Sequence, residues 1–321
     1  MTVTAANAST AIDLGPHVSN GFRHSHVLSM SQFTRNDLEL LYRTTELMIE
    51  RPLHAPRLTN RVMLSAFFER STRTRLAHET AMLRLGGSVS GFADADTTRS
   101  GGRTQENHVD ILQMASLYSD VVVVRHMQTG WTARASEEVT GDALIINAGD
   151  GDGEHPTQTM VDLFTLRAAF GSIDGLNILV VNDLGMRCVH SLLSALRLYD
   201  CTIFLPRTSM KHAGMTAEMY PSLKIMQIDH YSDVLDRVDV IYSSPTVGED
   251  ARQPQQVILD RRMLDTSYTG RRVSVLHPLP RGPELDRSLD DSRYNGYWQQ
   301  AAYGVPLRMA LVCLMFDAAA L

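Results

Sequence analysis

The sequence is poor in the features that mark several specialised classes of protein. It holds three cysteines among 321 residues. Cys188, Cys201 and Cys313 have neither the paired spacing of a zinc site nor the even count of a disulfide framework, so they indicate reduced thiols in a cytoplasmic protein. The formal net charge of −6 leaves no general basic field, which disfavours a nucleic-acid partner.

Long apolar runs, leader patterns and cofactor fingerprints are also missing. No apolar stretch reaches the roughly 18–20 residues that span a bilayer, so we predict no membrane role. Residues 1–16 lack a basic start followed by an apolar block, and the first ~20 residues are small and polar, which predicts a disordered tail without a secretory signal. No GxGxxG follows a predicted strand, and no cluster has metal-ligand spacing. We therefore predict neither cofactor nor metal.

The composition that remains is that of an ordinary globular protein of one or two domains, with 44% hydrophobic and 21% charged residues. Predicted strands alternate with predicted helices, which favours an α/β fold with parallel sheets and right-handed crossovers. The strands are predicted at residues 61–66, 88–92, 120–124, 143–147, 177–181, 202–205, 224–228 and 238–244. Helices are predicted at residues 34–50, 76–85, 106–118, 155–170 and 303–319, with one more ending at residue 198.

Residues 67–75 read Phe-Phe-Glu-Arg-Ser-Thr-Arg-Thr-Arg and lie where a predicted strand turns into a predicted helix. Ser71 or Thr72 can cap that helix, whose first N–H groups have no partner inside it. Free N–H groups, two hydroxyls and a guanidinium form a site suited to phosphate or a similar oxyanion. From these residues alone, a helix cap flanked by surface arginines is an equal alternative.

This stretch resembles the carbamoyl-phosphate signature of the aspartate/ornithine carbamoyltransferase family. Three further motifs follow in the family's order, namely Val-Arg-His at 124–126, His-Pro-Thr-Gln at 155–158 and His-Pro-Leu-Pro-Arg at 277–281. The likeness runs from about residue 26 to the C-terminus. It is nearer the aspartate branch, because the ornithine branch carries a cysteine in the last motif. The resemblance implies an enzyme that transfers a carbamoyl group, built as two parallel-sheet domains joined by interdomain helices.

The resemblance also implies a domain plan and an assembly. It predicts a disordered tail at 1–20, a carbamoyl-phosphate-binding domain at 21–153, an acceptor-binding domain at 154–300, and a C-terminal helix at 301–321 that packs back on the first domain. A homotrimer with shared active sites is implied, because the loop at 93–104 should reach a neighbouring subunit.

In the family this loop supplies a serine and a lysine. Here the loop is one residue longer and has no lysine, so Ser100 and Arg103 are the nearest candidates. A solvated surface loop is the alternative. The sequence does not indicate whether a regulatory chain binds.

The resemblance assigns roles to the motif residues. The residues expected to bind carbamoyl phosphate are Ser71, Thr72, Arg73, Thr74, Arg125, His155, Gln158, Leu279 and Pro280. Among them, Arg73, Thr74, Arg125 and His155 are expected to be catalytic, because they hold the phosphate and the developing oxyanion. Arg125 also ends a predicted strand, where open α/β sheets bind ligands.

Gln158 and the carbonyls of Leu279 and Pro280 are expected to orient the carbamoyl NH₂. Arg187, in an Arg-x-x-His-Ser motif, is expected to hold the α-carboxylate of the acceptor, with Leu279 contacting the amine. The acceptor's neutral amine would attack the carbonyl carbon, and the leaving phosphate would take the proton. No protein nucleophile is needed, so catalysis would be positioning and electrostatics.

The acceptor loop departs from the family pattern. Aspartate enzymes carry an arginine and a glutamine here that bind the carboxylates of the substrate, and these positions are Pro245 and Val247 in this chain. Neither residue has a side-chain donor. Losing the arginine–carboxylate contact would cost about 2–4 kcal/mol. Glu249 and Asp250 follow at once, and an acidic loop without its arginine favours a neutral or cationic side chain.

The sequence therefore predicts transfer to a small amino-acid-like amine other than aspartate. An authentic aspartate carbamoyltransferase of pyrimidine biosynthesis is the alternative, because Arg252 could replace the missing charge. A non-catalytic homologue that binds an oxyanion is a second alternative.

Overall fold

The computed structural model describes residues 20–50, 57–98, 106–212, 214–246, 256–268 and 272–318. Within these ranges the chain forms two parallel β-sheets flanked by helices, as the alternation of strands and helices predicted. None of the described helices is both long enough and apolar enough to cross a membrane.

The first described sheet has the strand order β2-β1-β3-β4, with every pair parallel. Its strands are β1 (Val62–Phe67), β2 (Ser88–Phe92), β3 (Val121–His126) and β4 (Leu144–Asp150). The accompanying helices are α1 (Arg35–Glu50), α2 (Arg73–Arg84), α3 (His108–Tyr118) and α4 (Trp131–Glu138). The four valines of β3 are fully buried, which agrees with a strand covered on both faces.

The second described sheet has the order β7-β6-β5-β8-β9, again all parallel. Its strands are β5 (Asn177–Val181), β6 (Thr202–Pro206), β7 (Lys224–Ile228), β8 (Val240–Ser243) and β9 (Ser274–Leu276). The helices in this half are α6 (Arg187–Leu196), α7 (Arg207–His212) and α8 (Arg261–Ser267).

Two helices, α5 (Pro156–Phe170) and α9 (Tyr297–Met315), join the halves. One buried apolar cluster contains Leu41 of α1, Phe164 of α5, Leu192 of α6 and Leu311 of α9. The main core is therefore continuous through both joining helices. In each sheet the strand order reverses between two neighbours, β1 and β3 or β5 and β8, and open α/β sheets bind ligands beyond the carboxyl ends of such strands.

Several sequence predictions need correction. Helix α2 begins at Arg73, three residues before its predicted start at 76, and its side chains Leu76 and Leu83 are 53% and 58% exposed. Its buried face instead contains Thr74 and His78, because that face meets the cleft and α9. Strand β4 extends three residues beyond its predicted end at 147, and α9 starts six residues before its predicted start at 303.

The predicted cap of α2 is also wrong in the described structure. Thr72 occupies the N-cap position with φ −87° and ψ −60°, and its hydroxyl makes no capping hydrogen bond. A side-chain cap requires an extended residue at this position, because only then does the hydroxyl reach back to the helix N–H groups. The Thr72 hydroxyl is therefore left to face the cleft.

Candidate active site

A cleft of about 750 Å³ lies where the carboxyl ends of the two sheets meet. Ten residues predicted from the motifs line it, namely Ser71, Thr72, Arg73, Thr74, Arg125, His155, Gln158, Arg187, Leu279 and Pro280. The predicted loop residues Ser100 and Arg103, and the acceptor-loop residues Val247 and Glu249, lie outside the described residues. Residues as far apart in the sequence as Ser71 and Pro280 thus converge on one cavity.

The start of α2 supplies one wall of the cleft. The Thr74 hydroxyl lies 3.2 Å from Nε2 of His155, and both side chains are buried. Nδ1 of His78 lies 2.8 Å from the Thr74 carbonyl within α2 and 3.2 Å from Nε of Arg308, which links this turn to α9. The guanidinium of Arg73 has no partner within the described residues. This corner therefore presents an uncommitted cation beside two hydroxyls.

His155 is a neutral imidazole in this environment. Burial lowers its pKa well below the ordinary value, and the nearby charges of Arg125 and Arg187 act in the same direction. Its Nδ1 is buried and has no hydrogen-bond partner in the part of the chain that the structure describes. A neutral imidazole keeps one N–H group, and through it the ring can donate a hydrogen bond to an oxygen.

Glu69 holds both arginines that the motifs place in the cleft. Arg125 Nη2 donates to it at 2.7 Å, and Arg187 donates through Nη1 and Nη2 at 2.9 and 2.8 Å. Burial alone would raise the pKa of Glu69, but the hydrogen bonds from Arg187 and Arg125 outweigh it and lower the pKa. Nε of Arg125 is buried without a partner among the described residues, so this guanidinium can accommodate another acceptor.

A buried polar network, which the sequence reasoning missed, lies behind the cleft. Leu279 N–H donates to Nδ1 of His277, so Nε2 carries the ring proton and donates to Glu284 at 3.0 Å. Burial alone would raise the pKa of Glu284. The hydrogen bonds from His277, Gly282 and Thr246 instead lower it to about 2. The carboxylate thereby fixes the turn that carries Leu279 and Pro280.

The motif residues Pro278, Leu279 and Pro280 form a turn that lines the cleft. Leu279 has a left-handed φ of 60°, and the Leu279–Pro280 peptide bond is cis. His277 continues the network inward, because its backbone N–H donates to Gln300 at 2.9 Å. A signal for Glu284 was present in the sequence as a carboxylate seven residues after a histidine, but its burial could not be read from that spacing.

Several of the residues that line the cleft from the second half of the described chain are apolar or weakly polar. Pro245, which follows β8, is one of them, together with Met186, Cys188 and Pro278. Burial raises the pKa of the Cys188 thiol to about 12, so it stays protonated near neutral pH. Within the described chain, no group of three or more His, Cys, Asp or Glu side chains could hold a metal ion.

This fold and cleft match one protein family. The carbamoyl-P binding domain model of the aspartate/ornithine carbamoyltransferases matches residues 25–168, and the family's Asp/Orn binding domain model matches residues 174–315. The chain belongs to the aspartate/ornithine carbamoyltransferase family and is a carbamoyltransferase.

Individual relatives lie on the aspartate side of the family. The aspartate carbamoyltransferase catalytic subunit of Picrophilus torridus is 36% identical over 303 residues, covering 91% of this chain and 98% of that protein. Aspartate transcarbamoylase from Trypanosoma cruzi in complex with carbamoyl phosphate superposes with a TM-score of 0.79 at 27% identity, covering 93% and 99% of the two chains. The same enzyme with carbamoyl phosphate and aspartate gives a TM-score of 0.77 at 28% identity over the same shares.

Proposed function

We propose that this protein transfers the carbamoyl group of carbamoyl phosphate to an amine other than aspartate. The observation that carries the acceptor assignment is Pro245, a buried residue without a donor, at the end of the cleft where an arginine would bind a second carboxylate. The donor assignment is supported by the convergence of the motif residues on one cleft and by the crystal structure of a relative with carbamoyl phosphate bound.

The donor phosphate would bind at the start of α2. Arg73 contributes an unpaired guanidinium, and Ser71, Thr72 and the first-turn N–H groups add donors. Arg125 would bridge the phosphate and the carbonyl oxygen, because its Nε is buried without a partner in the described structure. Hydrogen bonds to charged groups of this kind are the strong ones.

The carbonyl oxygen gains negative charge as the amine attacks. Thr74, His155 and Arg125 line the same cleft and would donate to this oxyanion. Each such donor lowers the barrier by roughly 2–4 kcal/mol. Since the leaving phosphate can accept the proton of the amine, no side-chain nucleophile is required.

Arg187 would hold the α-carboxylate of the acceptor. Its guanidinium already pairs with the carboxylate of Glu69 through two parallel hydrogen bonds, and an incoming carboxylate would use the same geometry. Beyond Arg187 the described cleft offers Met186, Pro245 and Pro278 to the acceptor side chain. These residues suit a neutral or apolar group better than a second carboxylate, which would lose its water without gaining a donor.

Steady-state kinetics with carbamoyl phosphate and a panel of amines test the acceptor. We expect amines with neutral or basic side chains to give kcat/KM values above that of L-aspartate. If L-aspartate gives by far the highest value, the alternative holds, and the protein is an aspartate carbamoyltransferase like its named relatives. Phosphate binding without turnover on any amine would favour a non-catalytic role.

We infer further that the active unit is a homotrimer in which the loop at 93–104 reaches a neighbouring cleft. Leu117 and Tyr118 of α3 are 64% and 69% exposed, which leaves apolar surface on the described chain for a second copy. Sedimentation velocity combined with activity at decreasing protein concentration tests this. A fully active monomer would contradict it.

A further inference from the structure

Asp162 is a fully buried carboxylate at the centre of the joining helices. It lies one turn after Gln158 on α5, and it accepts hydrogen bonds from side chains of three elements. Gln158 Nε2 donates to Oδ1 at 2.7 Å, Gln300 Nε2 of α9 donates to Oδ1 at 2.6 Å, and the Tyr242 hydroxyl of β8 donates to Oδ2 at 2.9 Å.

These contacts determine which way two amide side chains face. An ionised carboxylate only accepts, so Gln158 and Gln300 must both present their NH₂ groups to it. The reversed amide would place its own oxygen against a buried negative charge. Burial raises the pKa of Asp162 to about 6, so the group is still ionised at pH 7.5.

The two amides consequently direct their oxygens elsewhere. Oε1 of Gln300 accepts from the backbone N–H of His277 at 2.9 Å, which confirms the orientation independently. Gln158 is half-buried and lines the cleft, so its remaining polar atom, Oε1, is an acceptor available to a ligand there. Asp162 itself does not line the cleft and touches no substrate position.

We propose that Asp162 is a positioning residue that locks the Gln158 amide with its oxygen toward the cleft, so that the site selects an NH₂ group on the acyl carbon of the donor. The proposal rests on the proposed donor being an acyl phosphate. It adds a determinant of donor specificity. The NH₂ of a carbamoyl group can donate to this oxygen, whereas the methyl of an acetyl group, which has a similar size, cannot.

The expected discrimination follows from the hydrogen bond. Binding acetyl phosphate would leave Gln158 Oε1 desolvated and unpaired, so carbamoyl phosphate should bind about 10- to 100-fold more tightly than acetyl phosphate. Inorganic phosphate has no acyl group, so its affinity reports the phosphate corner alone. Carbamoyl phosphate and acetyl phosphate share the phosphate group, so the ratio of their affinities is independent of how tightly the phosphate binds and of the stability of the protein.

Isothermal titration calorimetry of the full chain at pH 7.5 with carbamoyl phosphate, acetyl phosphate and inorganic phosphate measures these affinities. We expect Asp162→Leu to reduce the carbamoyl-to-acetyl preference to less than 3-fold while the Kd for inorganic phosphate changes less than 3-fold. Asp162→Asn should retain the preference, because its oxygen can accept from both glutamines while its NH₂ faces the Tyr242 oxygen.

A double-mutant cycle separates positioning from general support of the fold. Gln158→Met should reduce the preference to the same level as Asp162→Leu, and combining the two substitutions should cause no further loss, since Asp162 would act through Gln158. Asp37→Asn is the matched control, because Asp37 is a buried carboxylate that accepts from Gly21 and Thr34 away from the cleft. It should leave the preference unchanged.

The proposal is overturned if folded Asp162→Leu keeps the wild-type preference, or if its inorganic phosphate affinity falls in parallel with that for carbamoyl phosphate. Should this variant fail to fold, Asp162→Ala, with space for a water among the three donors, decides by the same criteria. A wild-type protein without any preference also overturns it. A preserved preference with no turnover on any amine would instead remove the proposed function and leave this inference standing.

Discussion

The guanidinium of Arg187 forms a two-pronged ion pair with the carboxylate of Glu69, with N–O distances of 2.8 and 2.9 Å. Glu69 follows β1 of the first sheet, and Arg187 opens α6 beside the second sheet. The pair therefore spans the cleft, and Arg125 donates to the same carboxylate at 2.7 Å. An anion entering the cleft therefore meets two arginines that already share one carboxylate of the protein itself.

Replacing Glu69 by glutamine should separate binding from turnover. We expect Glu69→Gln to tighten the Kd for inorganic phosphate by about 3- to 10-fold, because a competing negative charge near Arg125 is removed. The value of kcat should fall by at least about 10-fold, because Arg187 loses the partner that places it. Calorimetry and steady-state kinetics measure the two effects.

The matched control for this substitution is Glu79→Gln. Glu79 pairs with Arg75 on α2 at 2.7 Å and does not line the cleft. Its loss should leave both quantities within about 2-fold, as for other pairs along a helix surface. Weaker phosphate binding in Glu69→Gln would show that the carboxylate supports the anion site rather than competing for it.

Removing the Arg73 guanidinium should collapse turnover without unfolding the protein. We expect Arg73→Ala to lower kcat/KM for the donor by about 100- to 1000-fold, since one charged transition-state donor is lost. Thermal unfolding should shift little, because the guanidinium has no partner within the described residues. Arg84→Ala, an exposed arginine at the end of the same helix, is the control. Retained turnover at saturating carbamoyl phosphate would contradict the assignment.

Introducing an arginine at the acceptor end should create aspartate activity. Pro245→Arg places a cation where the described cleft has a residue without a donor, and we expect kcat/KM for L-aspartate to rise at least about 10-fold. Pro245→Ala controls for loss of the proline alone. If both variants respond equally to L-aspartate, the missing charge does not explain the acceptor preference.

Buried histidines should make the protein sensitive to acid. Burial lowers the pKa of His78 and His155 well below 6.5, so the folded state leaves them neutral while the unfolded state binds protons below that pH. Their stabilising contribution is complete above pH 6.5 and falls as the pH drops, by up to about 1.4 kcal/mol per pH unit for each group. Urea unfolding at pH 7.5 and 5.5 measures the loss.

Two variants check this sign. His78→Gln should reduce the loss of unfolding free energy between these pH values by about 1 kcal/mol. Asp162 has the opposite effect on the unfolding free energy. Its pKa is raised to about 6, so on acidification the folded state takes up a proton at higher pH than the unfolded state does. Asp162→Asn should therefore steepen the loss. An unfolding free energy equal at both pH values in the wild type would contradict the prediction.

Local sequence patterns predicted most of the elements. The strands at 88–92, 177–181 and 224–228 have the predicted bounds, because short apolar or β-branched runs between polar turns leave few alternatives. The buried face of α2 is harder to predict. Leu76 and Leu83 are exposed, whereas the buried stripe begins with polar Thr74 and His78 against α9 and the cleft, so the positions of the leucines do not reveal it.

The motif residues determined the family and ten positions of one cleft, because each motif places its side chains at the end of a strand or the start of a helix, where local geometry is decided within a few residues. Only the tertiary structure decided which groups those side chains meet. Glu69 on both arginines and Asp162 behind Gln158 are contacts between elements distant in the chain. Such contacts depend on how the sheets and joining helices pack. A charge buried by that packing is stable only when it is paired or hydrogen-bonded, so its partners are set by the tertiary structure.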